Sequence, residues 1–257
     1  MTSARMPVAF IGHGSPMNAL EQNRFTEAWA AFGAEVPRPR AILVVSAHWY
    51  ERGSAVTAMA LPRTIHDFYG FPRPLFEVRY PAPGDPALAE EIAELVKPTR
   101  VGLDGGWGID HGAWSVLVHA FPAADVPVVQ LSIDSSRDFD YHVELGGRLA
   151  ALRERGVLIL GSGNVVHNLG AIDWSSPDAG FDWAQRFDDR ARQLLSERPG
   201  DAAELRTHPD YELAAPTAEH FIPMLYIAGL AAAGGGSLRS FAEGYAFGSL
   251  SMTCYQG

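Results

Sequence analysis

The sequence predicts an α/β fold: a mostly parallel central sheet flanked by helices, with a C-terminal antiparallel or edge segment. Four short apolar runs rich in branched residues, at 7–12 (PVAFIG), 41–48 (AILVVSAH), 126–133 (VPVVQLSI) and 156–163 (GVLILGSG), lack polar alternation, as strands covered on both faces require. Helical patterns with apolar residues three or four apart lie between them, and strands alternating with helices imply a βαβ-type architecture. The closing segment 238–255 alternates and is aromatic, which suits an antiparallel hairpin or edge strands.

The helical patterns fall at 20–32, 86–96 and 141–155, with Asp85 and Asp138 placed to accept hydrogen bonds from the first turns of the latter two. Beyond the fourth strand, 181–197 and the apolar 217–233 read as longer helices, Thr217 being placed to cap the second. The Pro-rich stretch 71–86 is too punctuated for regular structure and reads as a substrate-side loop. No internal repeat or linker interrupts the chain, so residues 1–257 read as a single catalytic domain, long enough to bury a sizeable core.

Composition narrows the function. Hydrophobic residues make up 47% and charged residues 19%, which supports a packed core rather than disorder. A net charge of -10 argues against a nucleic-acid partner, since phosphate binding needs a basic face. A small-molecule substrate fits better. With Cys254 as the only cysteine, neither a disulfide framework nor a thiolate metal site can be built, so any metal must sit on His, Asp or Glu. The N-terminus lacks a signal-peptide pattern, and the most apolar stretch, 221–236, contains Pro223 and ends in AAAGGG, short of a membrane span. A cytoplasmic protein with no membrane association is expected; oligomeric state leaves no sequence signature.

Three of the four strands run into polar clusters carrying histidine: Gly12-His13-Gly14-Ser15-Pro16, Ser46-Ala47-His48-Trp49, and Gly161-Ser162-Gly163-Asn164 leading to His167. Ligands of open parallel sheets bind outside the carboxyl ends of the strands, so these histidines should meet. A lone histidine is ordinarily a hydrogen-bonded core residue; three at equivalent positions point to a metal. His220 opens an apolar helix, where the dipole keeps the ring neutral and able to donate a lone pair. Glu219 beside it reads equally as a carboxylate ligand, a hydrogen-bond partner or an ordinary first-turn acid. His111, in Gly108-Ile109-Asp110-His111-Gly112, reads as a catalytic acid/base. His66, His119, His142 and His208 lack such settings. Trp49, Phe71, Trp107 and Trp114 could wall a site for a flat ring, although aromatic residues more often pack the core. Gly12 to Pro16 is not a hydrolase nucleophile elbow, and Gly161 to Gly163 lacks the further glycines of a dinucleotide fold.

The strings FIGHGSPMNAL, VVSAHW, GIDHGAWSVL, GSGNVVHNLG and EHFIPMLYIAG, in this order over nearly the whole chain, resemble the class III extradiol dioxygenase superfamily, in its DOPA 4,5-dioxygenase branch. The resemblance implies metal contacts from His13, His48 and His220, with His167 as a fourth ligand or an active-site base and His111 as a further acid/base. It implies one divalent metal per chain, Zn(2+) or Fe(2+), with Fe(2+) expected for the ring-cleavage chemistry, and a catechol and dioxygen as substrates. Better-studied relatives hold iron with two histidines and a glutamate; here a histidine stands where the carboxylate is expected. Two rival readings share the residues: a zinc hydrolase, since neutral imidazoles suit zinc, and a non-enzymatic binding protein on the same scaffold.

Overall fold

The computed structural model describes residues 5–257; residues 1–4, the start of the N-terminal stretch read above as lacking a signal peptide, lie outside the described residues. In chain order the elements are β1 (Val8–Gly12), a 3-10 turn (Pro16–Leu20), α1 (Arg24–Glu35), β2 (Ala41–Glu51), β3 (Ser54–Thr57), α2 (Arg73–Glu77), α3 (Pro86–Leu95), β4 (Val101–Asp104), α4 (His111–Ala120) and β5 (Val128–Asp134). There follow α5 (Phe139–Arg148), α6 (Ala151–Glu154), β6 (Val157–Gly163), α7 (Asp182–Glu197), α8 (Tyr211–Ala214), α9 (Ile222–Ala233), β7 (Arg239–Ala242), β8 (Tyr245–Ala246), β9 (Leu250–Ser251) and β10 (Cys254–Gln256).

Among the described residues eight strands form one mixed sheet in the order β4-β3-β5-β2-β6-β1-β10-β7. Its centre, β5-β2-β6-β1, is parallel and consists of the four apolar runs. Successive side chains point to opposite faces. Val8 and Phe10 join the core layer that includes Leu145, Phe187 and Met224 of α5, α7 and α9, whereas Ala9 and Ile11 join the layer that includes Trp29 and Trp114 of α1 and α4. Burial on both sides explains the absence of polar alternation. The C-terminal segment is antiparallel as expected: β10 pairs with β1 and with β7, and β8 pairs with β9 in a separate ribbon.

The caps at Asp85 and Asp138 form, accepting from Leu88 N–H and Tyr141 N–H at 3.0 Å each. Other boundaries differ from expectation. The helix expected at 20–32 begins at Arg24, because Asn23 and Thr26 close a capping box, and the preceding residues form the 3-10 turn. The helix expected at 141–155 breaks between α5 and α6, where Gly146 and Gly147 weaken helical propensity. Thr217 caps nothing: Pro223 is tolerated only in a first turn, which fixes the start of α9 at Ile222, and the Thr217 hydroxyl donates instead to Glu219. The stretch 71–86 is not wholly irregular: it contains the short helix α2 and buries Leu75, Tyr80 and Ala82, and of its residues Phe71 lines the cavity described below. The strands β3 and β4, four residues each, have no counterpart among the expected elements. Finally, β2 runs past His48 to Glu51, with a break in its pairing register between Val45 and Tyr50. Among the described residues no helix is long and apolar enough to cross a membrane.

Candidate metal centre and substrate cavity

The carboxyl ends of β1, β2 and β6 bring histidines to one edge of the sheet. His13 follows β1 directly, its carbonyl held by Asn18 Nδ2 at 3.0 Å. His48 sits in the register break of β2, and such irregularities re-aim side chains. His111 occupies the first turn of α4, whose N-cap Asp110 is fully buried and accepts from Ser46 Oγ and Gln130 Nε2 at 2.7 Å each. Gly112 allows the close approach: a Cβ there would lie 2.6 Å from Ser46 Oγ and 2.7 Å from His48 Cδ2. His167 lies in the loop after β6, and His220 lies two residues before α9.

Hydrogen bonding sets the ring tautomers. Ser162 Oγ donates its one proton to Gly112 O at 2.5 Å, so it must accept from His13 Nδ1 at 3.0 Å. His13 therefore aims a bare Nε2 into the site. His48 Nδ1 lies 3.1 Å from Asp67 Oδ2, a pure acceptor, so that nitrogen carries the proton and Nε2 points inward too. The two Nε2 atoms are 3.2 Å apart. Facing lone pairs at that distance repel unless a cation lies between or beside them, whether a proton or a metal ion. Metal–nitrogen bonds of about 2.0–2.1 Å at right-angled to tetrahedral geometry separate neighbouring ligand atoms by roughly 3.0–3.4 Å. The donor set thus fits a divalent metal. One ring nitrogen from each of His13, His48 and His220 lies within 4.8 Å of the others.

Burial, reinforced by the neighbouring imidazoles, holds His13 and His220 well below the ordinary histidine value. Burial also lowers His167 to about 4, against the opposing pull of Glu219, and lowers His111 despite the Asp67 carboxylate. His48 alone is raised: burial pulls it down, but its hydrogen bond to Asp67 and the charges of Asp110, Asp67 and Glu219 outweigh that. Four of the five rings are therefore neutral at pH 7, as ligands and general bases need to be.

Asp67 went unseen in the sequence, where only its place between His66 and Phe68 could have signalled it. Its Oδ1 lies 3.0 Å from His111 Nδ1 and accepts from His111 N–H at 3.0 Å, while Oδ2 faces His48. Burial would raise its pKa, yet the two histidines drive it far below the carboxylate range, so it stays ionised. His111 and His48 have ring centres 3.8 Å apart. His167 stacks flat on His220, at 3.5 Å and 4° between planes. Glu219 Oε1 is 3.2 Å from His220 Nδ1. The other histidines lie apart from this group: His119 bonds Asn18 O, His66 bonds Val78 O, His142 faces Tyr226, and His208 accepts from Asp210 N–H.

The five site histidines line a cavity of about 760 Å³. Its walls are largely apolar, with Phe25, Phe68, Phe71, Trp174, Phe247 and Leu250 among them. Of the four aromatic residues expected there, only Phe71 is present. Trp49 and Trp107 stack on each other at 5.3 Å, and the buried Trp114 donates to Ile65 O at 2.7 Å.

Residues 7–250 match the family described as the catalytic LigB subunit of aromatic ring-opening dioxygenase. The chain is 48% identical to the 4,5-DOPA dioxygenase extradiol of Escherichia coli (strain K12), covering 100% of this chain and 96% of that protein. It is 39% identical to the 4,5-DOPA dioxygenase extradiol of Beta vulgaris, over 84% of this chain and 83% of that one. Its fold is similar to the crystal structure of an uncharacterized Escherichia coli K12 protein, with a TM-score of 0.85, 44% identity and coverage of 98% and 99%.

Proposed function

The chain belongs to the LigB family of aromatic ring-opening dioxygenases, and from that premise we propose that it opens a catechol such as DOPA at the 4,5 bond with dioxygen, at one divalent metal held by His13, His48 and His220. It is an extradiol dioxygenase, hence an oxidoreductase acting on a small molecule. The DOPA-named relatives support the substrate, and the whole of 1–257 is read as one catalytic domain.

One observation carries the metal reading: two histidine Nε2 atoms 3.2 Å apart, each with its other nitrogen committed to a fixed partner. A divalent metal would supply an anchor for two adjacent phenolic oxygens and, as Fe(2+), a redox route between ring and dioxygen, whereas Zn(2+) would supply the anchor alone. Ser162 and Asp67 fix the ring orientations before substrate arrives. His111, with Nδ1 turned to Asp67, offers Nε2 for a catechol proton, and Asp67 stabilises the imidazolium that results. His167 we assign to proton transfer rather than ligation. Parallel stacking puts its in-plane lone pairs in a sheet 3.5 Å from that of His220, so the two rings cannot converge on one point. Burial keeps the His167 ring neutral at pH 7, so that its lone pair is unoccupied there. Phe68 and Phe71 close over a flat ring and keep water from it.

The test separates ligands from proton carriers. His111→Ala should keep one metal per chain and lose about 100- to 10,000-fold in ring opening, while His48→Ala should lose the metal first. Metal content and oxygen uptake measured on the same samples decide it. Loss of metal from His111→Ala with the fold intact would reverse the assignment.

A further inference from the structure

The cavity mouth carries charge that neither metal nor proton transfer uses. Apart from the histidines, its charged lining residues are Arg24, Glu21 and Asp178. Among the described lining residues other than the histidines, Arg24 is the single cation, in a protein whose net charge is -10. It stands at the first position of α1, where a positive charge opposes the helix dipole, so it is not there for the helix. Several arginines of this surface sit against carboxylates, as Arg38 does on Asp125 at 2.9 Å and Arg186 on Asp210 at 2.8 Å, and others such as Arg63 and Arg79 donate to backbone carbonyls; Arg24 differs in lining the cavity. Arg24 has no ion pair or side-chain hydrogen bond among the described residues. It is nevertheless positioned: the guanidinium lies 4.6 Å over the Phe25 ring, and a Cβ on Gly244 would come within 2.5 Å of its Nη2. A stacked guanidinium whose donors are unspent is a receptor for a carboxylate, which it binds through two parallel hydrogen bonds.

We infer that Arg24 determines specificity by binding a carboxylate on the side chain of the catechol, so that the cavity selects acidic or amino-acid catechols over uncharged ones. The inference rests on the ring-opening reading, which puts the two phenolic oxygens at the histidines and leaves the ring substituent to extend toward the mouth. Glu21 and Asp178, also without ion-pair partners among the described residues, line the same cavity as Arg24 and would suit an ammonium on the same side chain, as a zwitterion carries.

Titration calorimetry on the zinc-loaded protein, with 3-(3,4-dihydroxyphenyl)propionate and 4-methylcatechol as probes, reads this without turnover. The wild type should bind the carboxylate probe about 10- to 100-fold more tightly. Arg24→Ala should bring that ratio close to one, Arg24→Lys should keep part of it, and Arg38→Ala, remote from the cavity, should keep all of it. Thermal melts on each variant establish that it folds. A wild-type ratio near one, or a ratio unchanged in a folded Arg24→Ala, overturns the inference. Oxygen uptake by the iron-loaded wild type with 4-methylcatechol tests the reaction separately, so failure of ring opening and failure of the carboxylate receptor are distinct results.

Discussion

A single carboxylate organises the acid/base side of the site. Asp67 reaches two histidines from different elements, His48 on β2 and His111 on α4, and remains ionised because both neighbours favour its charge. Partners behind a ligand typically contribute 10- to 100-fold in metal affinity, so Asp67→Ala should weaken metal binding by about that factor while the fold persists. A chelator competition titration measures it, and an unchanged affinity would show that His48 needs no orienting partner. The histidines themselves could be read from the sequence because each adjoins an apolar strand or helix run or sits beside glycine. Asp67 is not read in this way, since its partners are distant in the chain and its only local mark is a place between His66 and Phe68. Of the expected ring-bearing walls only Phe71 lines the cavity: hydrophobicity says that Trp49, Trp107 and Trp114 are buried, but not that they pack on each other and on backbone, leaving the rest of the wall to Phe25, Phe68, Trp174 and Phe247.

Elements were legible where burial alone dictates them. The strands β1, β2, β5 and β6 are covered on both faces and read as largely apolar runs, with β5 also burying Gln130 and Ser132, whereas β3 and β4 are short and partly exposed and leave no such trace. Helix boundaries shifted where local chemistry overruled periodicity, as Pro223 does for α9 and the Asn23 box for α1. The pairing of α5 with α9 carries a pH-sensitive contact, because the fully buried His142 meets Tyr226 OH at 3.1 Å. Burial pushes His142 down to about 4, although Asp134 and Asp138 oppose it. The unfolded chain therefore takes up a proton below the ordinary value of about 6.5 that the folded chain refuses, and stability falls as pH drops from about 6.5 to about 4. The contribution is on the order of 3 kcal/mol. Denaturant unfolding of the wild type should lose more stability between about pH 7 and about pH 4.5 than that of His142→Gln, and parallel losses would assign the effect elsewhere.

At the scale of the whole molecule, the topology does the assembling. Placing β1, β2 and β6 side by side and in parallel puts three strand ends at one edge, and α4 and the turn before α9 deliver His111 and His220 to the same place. The sequence identified the strands, and the rule that ligands gather at their carboxyl ends supplied the convergence. Metal identity divides the possible chemistries, because a histidine-rich set accepts Zn(2+) readily while ring opening requires passage of electrons. The most direct measurement is oxygen consumption against catechol consumed, followed with the yellow ring-opened product, for Fe(2+)-reconstituted and for zinc-loaded protein of known metal content. The account predicts one dioxygen per catechol with iron and far slower turnover with zinc. Equal turnover by iron-free zinc protein, or product formed without oxygen uptake, would contradict it.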